Sequence, residues 1–489
     1  MEENSTQIRE LKPRNYIAYG LGDLYGGGSF FLISTFSMYF LVSVVGMNPV
    51  LAGLIPGLGK IWDSISDPLM GYLTDNNKSR FGRRRVFFLI GIIPIMVTFT
   101  LIWLPVPFKS QISLFIYYFI TYLMFYSCST MVLVPYSALS AEMTNDFSKR
   151  NRLIGTRMVF SMAATLIGGV AAQPLINSFS SQSMGHLMMG LIFAIIFALP
   201  YILVFLGTWE IPIERKVKDE RSSILKNFSS IYRNRTFRIH ILMYICAYAA
   251  MDILMAWFKF YVIDYLKNPQ VVTFGLGAIL ITQLIALPVY VRISNRRSHA
   301  FAYRTGLIIW ALAIAALTIH QPGGSMLRLI LNCVCIGAGM SAGVIIPFQL
   351  LPFDADVDEL ITTEKRAGTY AGAMTLIRKL IQGALVLPVL GLLLSLIGYQ
   401  TSTDGEIIIQ TAETMLRLRI IFITAPMLLA VTGILVSFRF PVTPKTHKIL
   451  MNEIDRLKKG GDKSEVSPET KSVCEKLTGL DYMHLYKES

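Results

Sequence analysis

The sequence predicts an all-α membrane protein in which twelve transmembrane helices form two six-helix bundles. The first observation is composition: 53% of the 489 residues are hydrophobic and only 16% are charged, against roughly 25% in a soluble domain. The second is a mean hydropathy of +0.52. The third is that apolar runs of about 20 residues, the length that crosses a bilayer, recur along the chain. Together they exclude a cytosolic enzyme and a disordered chain.

Twelve apolar runs bounded by charges, glycine or proline are predicted as spans. A polar, basic stretch from Glu210 to Arg238 divides them into two sets of six, a layout typical of carriers built from repeats. The predicted spans are 16–45, 49–74, 86–105, 112–141, 153–179 and 186–208 in the first set, and 238–266, 271–291, 301–320, 326–352, 367–398 and 413–438 in the second.

The basic residues predict which ends of the spans are cytoplasmic. Most of the 45 lysines and arginines lie in the termini, the central loop and every second loop, so the positive-inside rule makes these segments cytoplasmic. We expect a multi-pass protein of the plasma (inner) membrane. The net charge of +14 then reflects topology and not a nucleic-acid partner. The predicted regions are a cytoplasmic N-terminus 1–15, an N-terminal bundle 16–208, a cytoplasmic central loop 209–237, a C-terminal bundle 238–440 and a cytoplasmic tail 441–489.

The tail carries one amphipathic segment. Ile449, Leu450, Ile454 and Leu457 share a face of a short helix, which we expect on the cytoplasmic face or the lipid surface. After Gly460 the chain is predicted to be flexible.

Span 2 carries acidic residues in an otherwise apolar run. Asp63 and Asp67 are four residues apart, so on a helix they share one face. Two carboxylates in a low-dielectric site need a cation, a proton or a basic partner. This pattern predicts a cation site, with Ser66 as a further oxygen ligand. The alternative is a salt bridge with Lys60 or with another helix.

Other charges within the spans are candidates for the solute or for coupling, because charges at membrane depth are costly and usually functional. Arg157 in span 5 and Lys379 in span 11 could neutralise the span-2 acids or bind an oxygen or an anionic group of the solute. For Arg157 a salt bridge near the cytoplasmic rim is the alternative. Asp23 lies among glycines in span 1 and serves either a site or helix packing.

Three aromatic residues and a second charged pair each have two alternative roles. Tyr25, Trp62 and Trp257 could stack on a sugar ring, although aromatic residues in spans more often pack or anchor at the interface. Asp252 and Lys259 in span 7 could pair with each other or line a cavity of the second half.

The segment Trp62-Asp63-Ser-Ile-Ser-Asp67-Pro68, combined with Lys379, forms a specific motif. With it the chain resembles the glycoside–pentoside–hexuronide:cation symporters of the major facilitator superfamily, the family of the melibiose carrier. The loop from Gly71 to Arg85 resembles the loop signature of that superfamily. Further matching stretches are Tyr19-Gly-Leu-Gly22, Pro135-Tyr-Ser-Ala-Leu-Ser-Ala-Glu142, Lys365-Arg-Ala-Gly368-Thr-Tyr370 and Pro441-Val-Thr-Pro444.

The resemblance implies the major facilitator fold and the uptake of a sugar or glycoside with Na⁺, Li⁺ or H⁺. At the matching positions, Asp63 and Asp67 are implied to bind the cation, as metal ligands only if that ion is Na⁺. Thr130 in span 4 is implied to add a hydroxyl ligand. Lys379 is implied to face this site and Arg157 to lie near it. Apart from the coupling cation we expect no cofactor.

Three positions depart from the melibiose carrier. Ser66 stands where that carrier has an asparagine associated with sodium use, so H⁺ and Na⁺ both remain open. Gly27 and Leu133 fall where it has two sugar-binding acids, and neither side chain can accept a hydrogen bond from a hydroxyl. Asp23, one turn earlier, could replace the first of them.

The departures make the cavity less negative, which would suit an anionic solute such as a uronide. We therefore predict H⁺- or Na⁺-coupled symport of a sugar, glycoside or uronide-containing oligosaccharide by alternating access. The alternative is a lysophospholipid or another anionic amphiphile, since a relative of this family carries lysophospholipids in animals. We expect a monomer surrounded by membrane lipid.

Two other classes of membrane protein, a transferase and a channel, are less favoured than a carrier. A membrane-bound transferase would use acidic or histidine motifs on interfacial loops, and the acidic run Asp354, Asp356, Asp358 and Glu359 could bind a metal in a predicted cytoplasmic loop. A channel would not accumulate its solute. We predict that the chain is not an enzyme.

Overall fold

The structure is a computed structural model that describes residues 10–144, 146–210, 231–402 and 408–486. Within these ranges all regular secondary structure is helical. Ten of the described helices are long and apolar enough to cross a membrane. Two more complete the twelve: one carries the acidic motif of span 2, and the other is a shorter apolar helix of 17 residues. The predicted all-α architecture with twelve transmembrane helices is confirmed.

The helices follow the predicted order. The first six are α1 Pro13–Ser43, α2 Pro49–Asp75, α3 Val86–Ile102, α4 Gln111–Met143, α5 Ser148–Asn177 and α6 Gln182–Gly207. The next six are α7 Arg235–Tyr265, α8 Gln270–Arg296, α9 His299–Ile319, α10 Met326–Thr362, α11 Ala367–Leu396 and α12 Ala412–Ser437. Two tail helices follow, α13 Pro444–Lys458 and α14 Pro468–Thr478.

One predicted helix end is wrong by ten residues. Span 10 was expected to end at residue 352, but α10 continues to Thr362. The acidic run from Asp354 to Glu359 therefore lies in the last turns of a helix and not in a loop. The helix tolerates these acids because each of them contacts a basic side chain.

The described residues fall into two compact units. The first holds residues up to 210 together with 391–402 and 408–409. Inside it α1 packs along α5, and α4 packs against both α2 and α3. Buried aromatic rings, among them Tyr25, Phe99, Phe125 and Phe197, fill the space between these helices.

The last turns of α11 and the residues after them belong to this first unit. The Tyr399 hydroxyl lies 3.1 Å from the Ser43 hydroxyl, and the Ser402 hydroxyl donates to the Ser43 carbonyl at 2.5 Å. A Cβ on Gly391 would lie 2.3 Å from the carbonyl oxygen of Pro49. Glycine at this position therefore lets α11 approach the start of α2 closely.

The second unit holds residues 231–390 and 410–486. In it α8 and α9 pack along α10, and α7 packs along α12. Two segments are π-helical: Phe260–Tyr265 at the end of α7, and Gln382–Val386 within α11.

The predicted flexibility after Gly460 is wrong. Residues 468–478 form α14, which packs on α13, α7 and α10. Cys474, Leu477 and Leu485 are buried, so the apolar side chains of this segment stabilise its docking. The Thr236 hydroxyl of α7 also donates to the carbonyl of Leu477 at 2.7 Å.

The docked tail yields a prediction about local stability. Ile454 on α13 is fully buried, and an unpaired carboxylate at that position would be costly. Ile454→Asp should release the tail and raise amide hydrogen exchange across residues 444–486, measured by mass spectrometry on the full chain in detergent. Asn452→Asp, an exposed neighbour on the same helix, is the control and should leave exchange unchanged. Equal exchange in both variants would mean that the buried face does not hold the tail.

Candidate functional site

Helix α2 begins at a well-defined cap. The Asn48 side chain accepts a hydrogen bond from the Val50 backbone N–H at 2.9 Å, and Pro49 occupies the first helical turn, where a missing N–H costs nothing. From this start, position 63 lies well inside the helix. Asp63 is buried and Asp67 is part-buried, one turn further along the same face.

The α2 acids meet a hydroxyl from α4. The Thr130 Oγ1 lies 3.1 Å from Oδ1 of Asp63 and 3.1 Å from Oδ1 of Asp67. Ser66 Oγ lies 3.1 Å from the same hydroxyl. The structure thus brings together the four residues that the sequence singled out for a cation: two carboxylates and two hydroxyls. We call Asp63, Ser66, Asp67 and Thr130 the oxygen cluster.

A threonine hydroxyl has a single proton, so it can donate to only one of the two carboxylates at a time. The oxygen cluster therefore has more acceptors than donors of its own. Hard cations in proteins prefer carboxylate and hydroxyl oxygens, and a shared proton relieves the repulsion between two carboxylates equally well.

Lys60 is the basic group near the oxygen cluster that the alternative interpretation required. Its Nζ lies 3.9 Å from Oδ2 of Asp63, and it also stands over the rings of Phe30 and Tyr126 at 4.4 and 5.1 Å. An ion pair at 3.9 Å is at the long end of the range for such contacts. Lys60 therefore offsets part of the charge of the cluster.

Asp23 and Arg157 form a separate pair in the same unit. Arg157 Nε lies 3.2 Å from Oδ1 of Asp23, and the guanidinium stands 5.0 Å from the ring centroid of Tyr136. The Tyr136 ring stacks on that of Tyr19 at 4.8 Å. The structure thus joins two of the predicted solute residues to each other through an α1–α5 ion pair.

Two further predicted residues have structural contacts. Tyr25 is fully buried, with its hydroxyl 2.5 Å from that of Ser129 and its ring against Phe125 and Phe197, which favours packing over sugar stacking. Trp62 is 39% exposed, and its indole donates to the Ser127 hydroxyl at 2.8 Å.

Gly27 serves helix packing. A Cβ there would lie 2.3 Å from the carbonyl oxygen of Ser161, so no larger residue fits while α1 and α5 remain this close. The Gly27 carbonyl also accepts a hydrogen bond from the Thr165 hydroxyl at 3.3 Å. An acid at this position would require a different spacing of the two helices.

The second unit contains charges that sequence analysis did not connect. Lys379 lies on α11 of this unit, and its neighbour Arg378 stands 4.0 Å from the ring centroid of Tyr248. Asp252 on α7 lies in electrostatic range of Arg378. Lys259, the other partner that the sequence offers for Asp252, is fully buried further along α7. The signal that could have linked Asp252 to Arg378 is that each is a charge within a predicted span.

A basic loop between α2 and α3 is held by three acids. Arg84 contacts Asp75 at 2.6 Å and Glu142 at 2.9 Å. The Glu210 carboxylate accepts the backbone N–H groups of residues 83, 84 and 85 at 2.8, 2.9 and 2.8 Å. The sequence places Glu210 in a loop, and nothing in its sequence context indicates this contact.

The acidic run at the end of α10 is neutralised by the protein. The pairs are His240 with Asp354 at 2.6 Å, Lys365 and His447 with Asp356 at 2.6 and 2.9 Å, Arg366 with Asp358 at 2.8 Å, and Lys458 with Glu359 at 2.6 Å. In the described parts of the chain, no cluster of three or more His, Cys, Asp or Glu residues has the geometry of a metal site. These contacts connect the end of α10 to α7, to the segment just before α11 and to α13.

Comparisons with known proteins agree in matching this chain to membrane transport proteins. A family model described as MFS/sugar transport protein matches residues 18–444. A candidate sulfoquinovose importer of Escherichia coli K12 is 26% identical over 472 residues, which cover 94% of this chain and 97% of that protein. The sodium-dependent lysophosphatidylcholine symporter 1-A of Danio rerio is 22% identical over 445 residues, 83% of this chain and 81% of that protein. The crystal structure of a point mutant of the nucleoside transporter NupG superimposes with a TM-score of 0.63 at 13% identity and covers 86% of this chain and 98% of that one.

The α1–α5 approach yields a prediction about stability. Gly27→Ala would place a methyl group against the Ser161 carbonyl, so α1 and α5 would have to separate, at a cost of about 1–3 kcal/mol. The thermal midpoint of the purified protein should fall. Gly155→Ala on α5 is the matched control because nothing lies within 4 Å of its added methyl; in a helix that change should be neutral or stabilise by up to about 1 kcal/mol. Similar midpoints for both variants would refute the close approach.

Proposed function

This chain belongs to the MFS/sugar transport protein family, and we propose that it is a symporter that couples the movement of a sugar or glycoside to that of H⁺ or Na⁺. As a member of this family it is a multi-pass membrane transporter. The observation that carries the proposal is the oxygen cluster, in which the Thr130 hydroxyl lies 3.1 Å from each of two carboxylates.

The oxygen cluster is suited to a reversible cation site. Two carboxylates carry two negative charges when ionised, and Lys60 at 3.9 Å offsets one of them in part. A further positive charge, either Na⁺ or a proton, would offset the repulsion between the two carboxylates, which lowers the cost of keeping them inside an apolar helix. Entry of that charge down the membrane potential contributes ~2.3 kcal/mol per 100 mV.

Coupling requires that cation and solute favour the same conformational change. Binding of the solute then raises the affinity for the cation by the same factor by which the cation raises the affinity for the solute. The corresponding coupling free energy is typically about 1–3 kcal/mol. We assign Asp63, Ser66, Asp67 and Thr130 to the cation, and Lys379 to the coupling role that the family resemblance implies.

The names of the relatives favour a sugar as the transported solute. The Escherichia coli relative is named for sulfoquinovose, and the family description names sugar transport. We propose that Arg157 and Asp23 act on the solute side as a pair, since they contact each other at 3.2 Å. We place the protein in the plasma (inner) membrane with both termini cytoplasmic, because the basic residues concentrate in the termini and in alternate loops.

A lysophospholipid is the second candidate solute. It is favoured by the Danio rerio symporter, which matches over 83% of this chain. Proteoliposomes separate the two candidates: a cation gradient should accumulate methyl β-glucoside or methyl β-glucuronide and leave lysophosphatidylcholine unmoved. Accumulation of the lipid alone would assign the second function.

The cation site can be tested without a solute. Purified wild-type protein should gain thermal stability from NaCl relative to choline chloride if the ion is Na⁺, or from lowering the pH from 8 to 6 if it is H⁺; a ligand at a hundred times its Kd adds about 2.7 kcal/mol. Asp67→Asn removes one of the carboxylates and should abolish that response. Asp455→Asn, an exposed acid on the tail, is the control and should retain it.

Two outcomes would contradict the proposed cation site. One is a wild-type protein whose midpoint responds to neither ion. The other is an Asp67→Asn variant that keeps the wild-type response to the same ion.

A further inference from the structure

The second unit holds an arginine whose hydrogen-bonding capacity is only partly used. The Arg378 guanidinium stands 4.0 Å from the ring centroid of Tyr248, and the Tyr244 side chain lies beside it. A guanidinium has five N–H donors in a planar fork. Among the described residues, the buried Nε of Arg378 finds no hydrogen-bond acceptor. A buried donor without an acceptor costs free energy, which an anionic ligand would recover.

This arginine lines a concavity with one acid and mostly apolar walls. The polar lining residues are Tyr248, Asp252, Arg378 and Gln382, and the space amounts to about 210 Å³ including its open mouth. Ligand sites commonly combine apolar walls with a few convergent polar groups. The enclosed part of this space is small, so only one group of a solute would enter it, beside the Arg378 guanidinium.

The backbone of α11 is irregular at the same place. Gln382 begins the π-helical segment Gln382–Val386, and both of these residues line the concavity. Single π-helical turns within α-helices occur frequently at functional sites. The concavity and the irregular turn are independent observations that point to the same position.

The first unit contains an equivalent set of residues in a different state. There the acid is on α1 and the arginine on α5, as Asp23 and Arg157, with the guanidinium over Tyr136. In the second unit the acid is on α7 and the arginine on α11, the corresponding first and fifth helices of that set of six. Arg157 forms an ion pair with its acid, with Nε 3.2 Å from Oδ1 of Asp23, but without the geometry of a hydrogen bond.

We propose that Arg378 binds the acidic group, a carboxylate or sulfonate, of a small sugar acid, and that Asp252 is the counter-ion this group displaces. The proposal deepens the proposed symport function and rests on it for the identity of the solute as a sugar. Arginine matches the two oxygens of a carboxylate or sulfonate with two parallel N–H donors. In the empty state Asp252 offsets the buried positive charge. When the acidic group binds, Asp252 becomes a competing anion beside it.

Two probes that differ in one group test this. Methyl β-glucuronide carries a carboxylate where methyl β-glucoside carries a hydroxymethyl group. Binding of each to the full-length protein in lipid nanodiscs is measured by calorimetry. The wild type should bind the glucuronide at least about tenfold more tightly, since a hydrogen bond to a charged group is worth about 1.5–3 kcal/mol and about 1.4 kcal/mol is tenfold.

The variants should act in opposite directions. Arg378→Gln should weaken binding of the glucuronide about tenfold or more, while it changes the affinity for the glucoside less than about threefold. Asp252→Asn removes the competing anion and should increase the affinity for the glucuronide. Arg304→Gln is the matched control: it removes a positive charge from the same unit, at a side chain that stands over Phe438, and should change neither affinity.

Several outcomes would overturn the proposal. A wild type that binds the glucuronide no better than the glucoside would do so, as would an Arg378→Gln variant that loses both probes equally. Weakening of the glucuronide by Asp252→Asn would make Asp252 and Arg378 a structural ion pair. Displacement of the glucuronide from the wild type, but not from Arg378→Gln, by lysophosphatidylcholine would assign the pocket to a phosphate headgroup.

The test also separates the two proposals. The response of Asp67→Asn to Na⁺ or H⁺ is measured without solute. If that response contradicts the oxygen cluster while the Arg378 results hold, the cation site is wrong and the acid pocket stands. The reverse pattern would leave cation coupling in place with a neutral solute.

Discussion

The central constraint on this molecule is that α2 holds two carboxylates one turn apart inside an apolar helix. A charge at membrane depth costs about 2.5–3.5 kcal/mol on insertion scales, and two carboxylates on one face also repel each other. The Thr130 hydroxyl can satisfy only one of them at a time, and Lys60 reaches one oxygen at 3.9 Å. We therefore propose that a cation or a proton joins the cluster, and that this dependence couples the movement of the cation to that of the solute.

The oxygen cluster exists because α2 and α4 pack in one register. Gly59 of α2 leaves room for the Tyr126 ring, which a Cβ would meet at 2.4 Å. One turn on, the Trp62 indole donates to Ser127 at 2.8 Å, and a further turn on, Ser66 meets Thr130 at 3.1 Å. A shift of either helix by one residue would move Thr130 off the shared face of the acids. Apolar packing thus fixes the geometry of a polar site.

The sequence predicted what depends on local spacing and missed what depends on long-range packing. Asp63 and Asp67 could be placed on one face because a four-residue spacing defines a face, whereas Thr130 joined them only through family resemblance. The docking of α14 was missed because its few apolar side chains, such as Leu477, do not resemble a core until α7 and α13 cover them. Arg378 was missed as a site because its neighbour Asp252 lies on another helix 126 positions away.

The most direct measurement of the central claim is cation affinity in Thr130→Val, compared with Thr121→Val. Both threonines are buried on α4, but the Thr121 hydroxyl donates to its own helix, at the carbonyl of Tyr117. In Thr130→Val the concentration of Na⁺ that gives half of the thermal stabilisation should rise about tenfold, because the ion loses an oxygen ligand and a polar contact with a charge is worth about 1.5–3 kcal/mol. If the ion is H⁺, that concentration should instead fall, because the hydroxyl no longer stabilises the ionised carboxylates. It should stay at the wild-type value in Thr121→Val. Unchanged affinity in Thr130→Val, or an equal loss in both variants, would contradict the account.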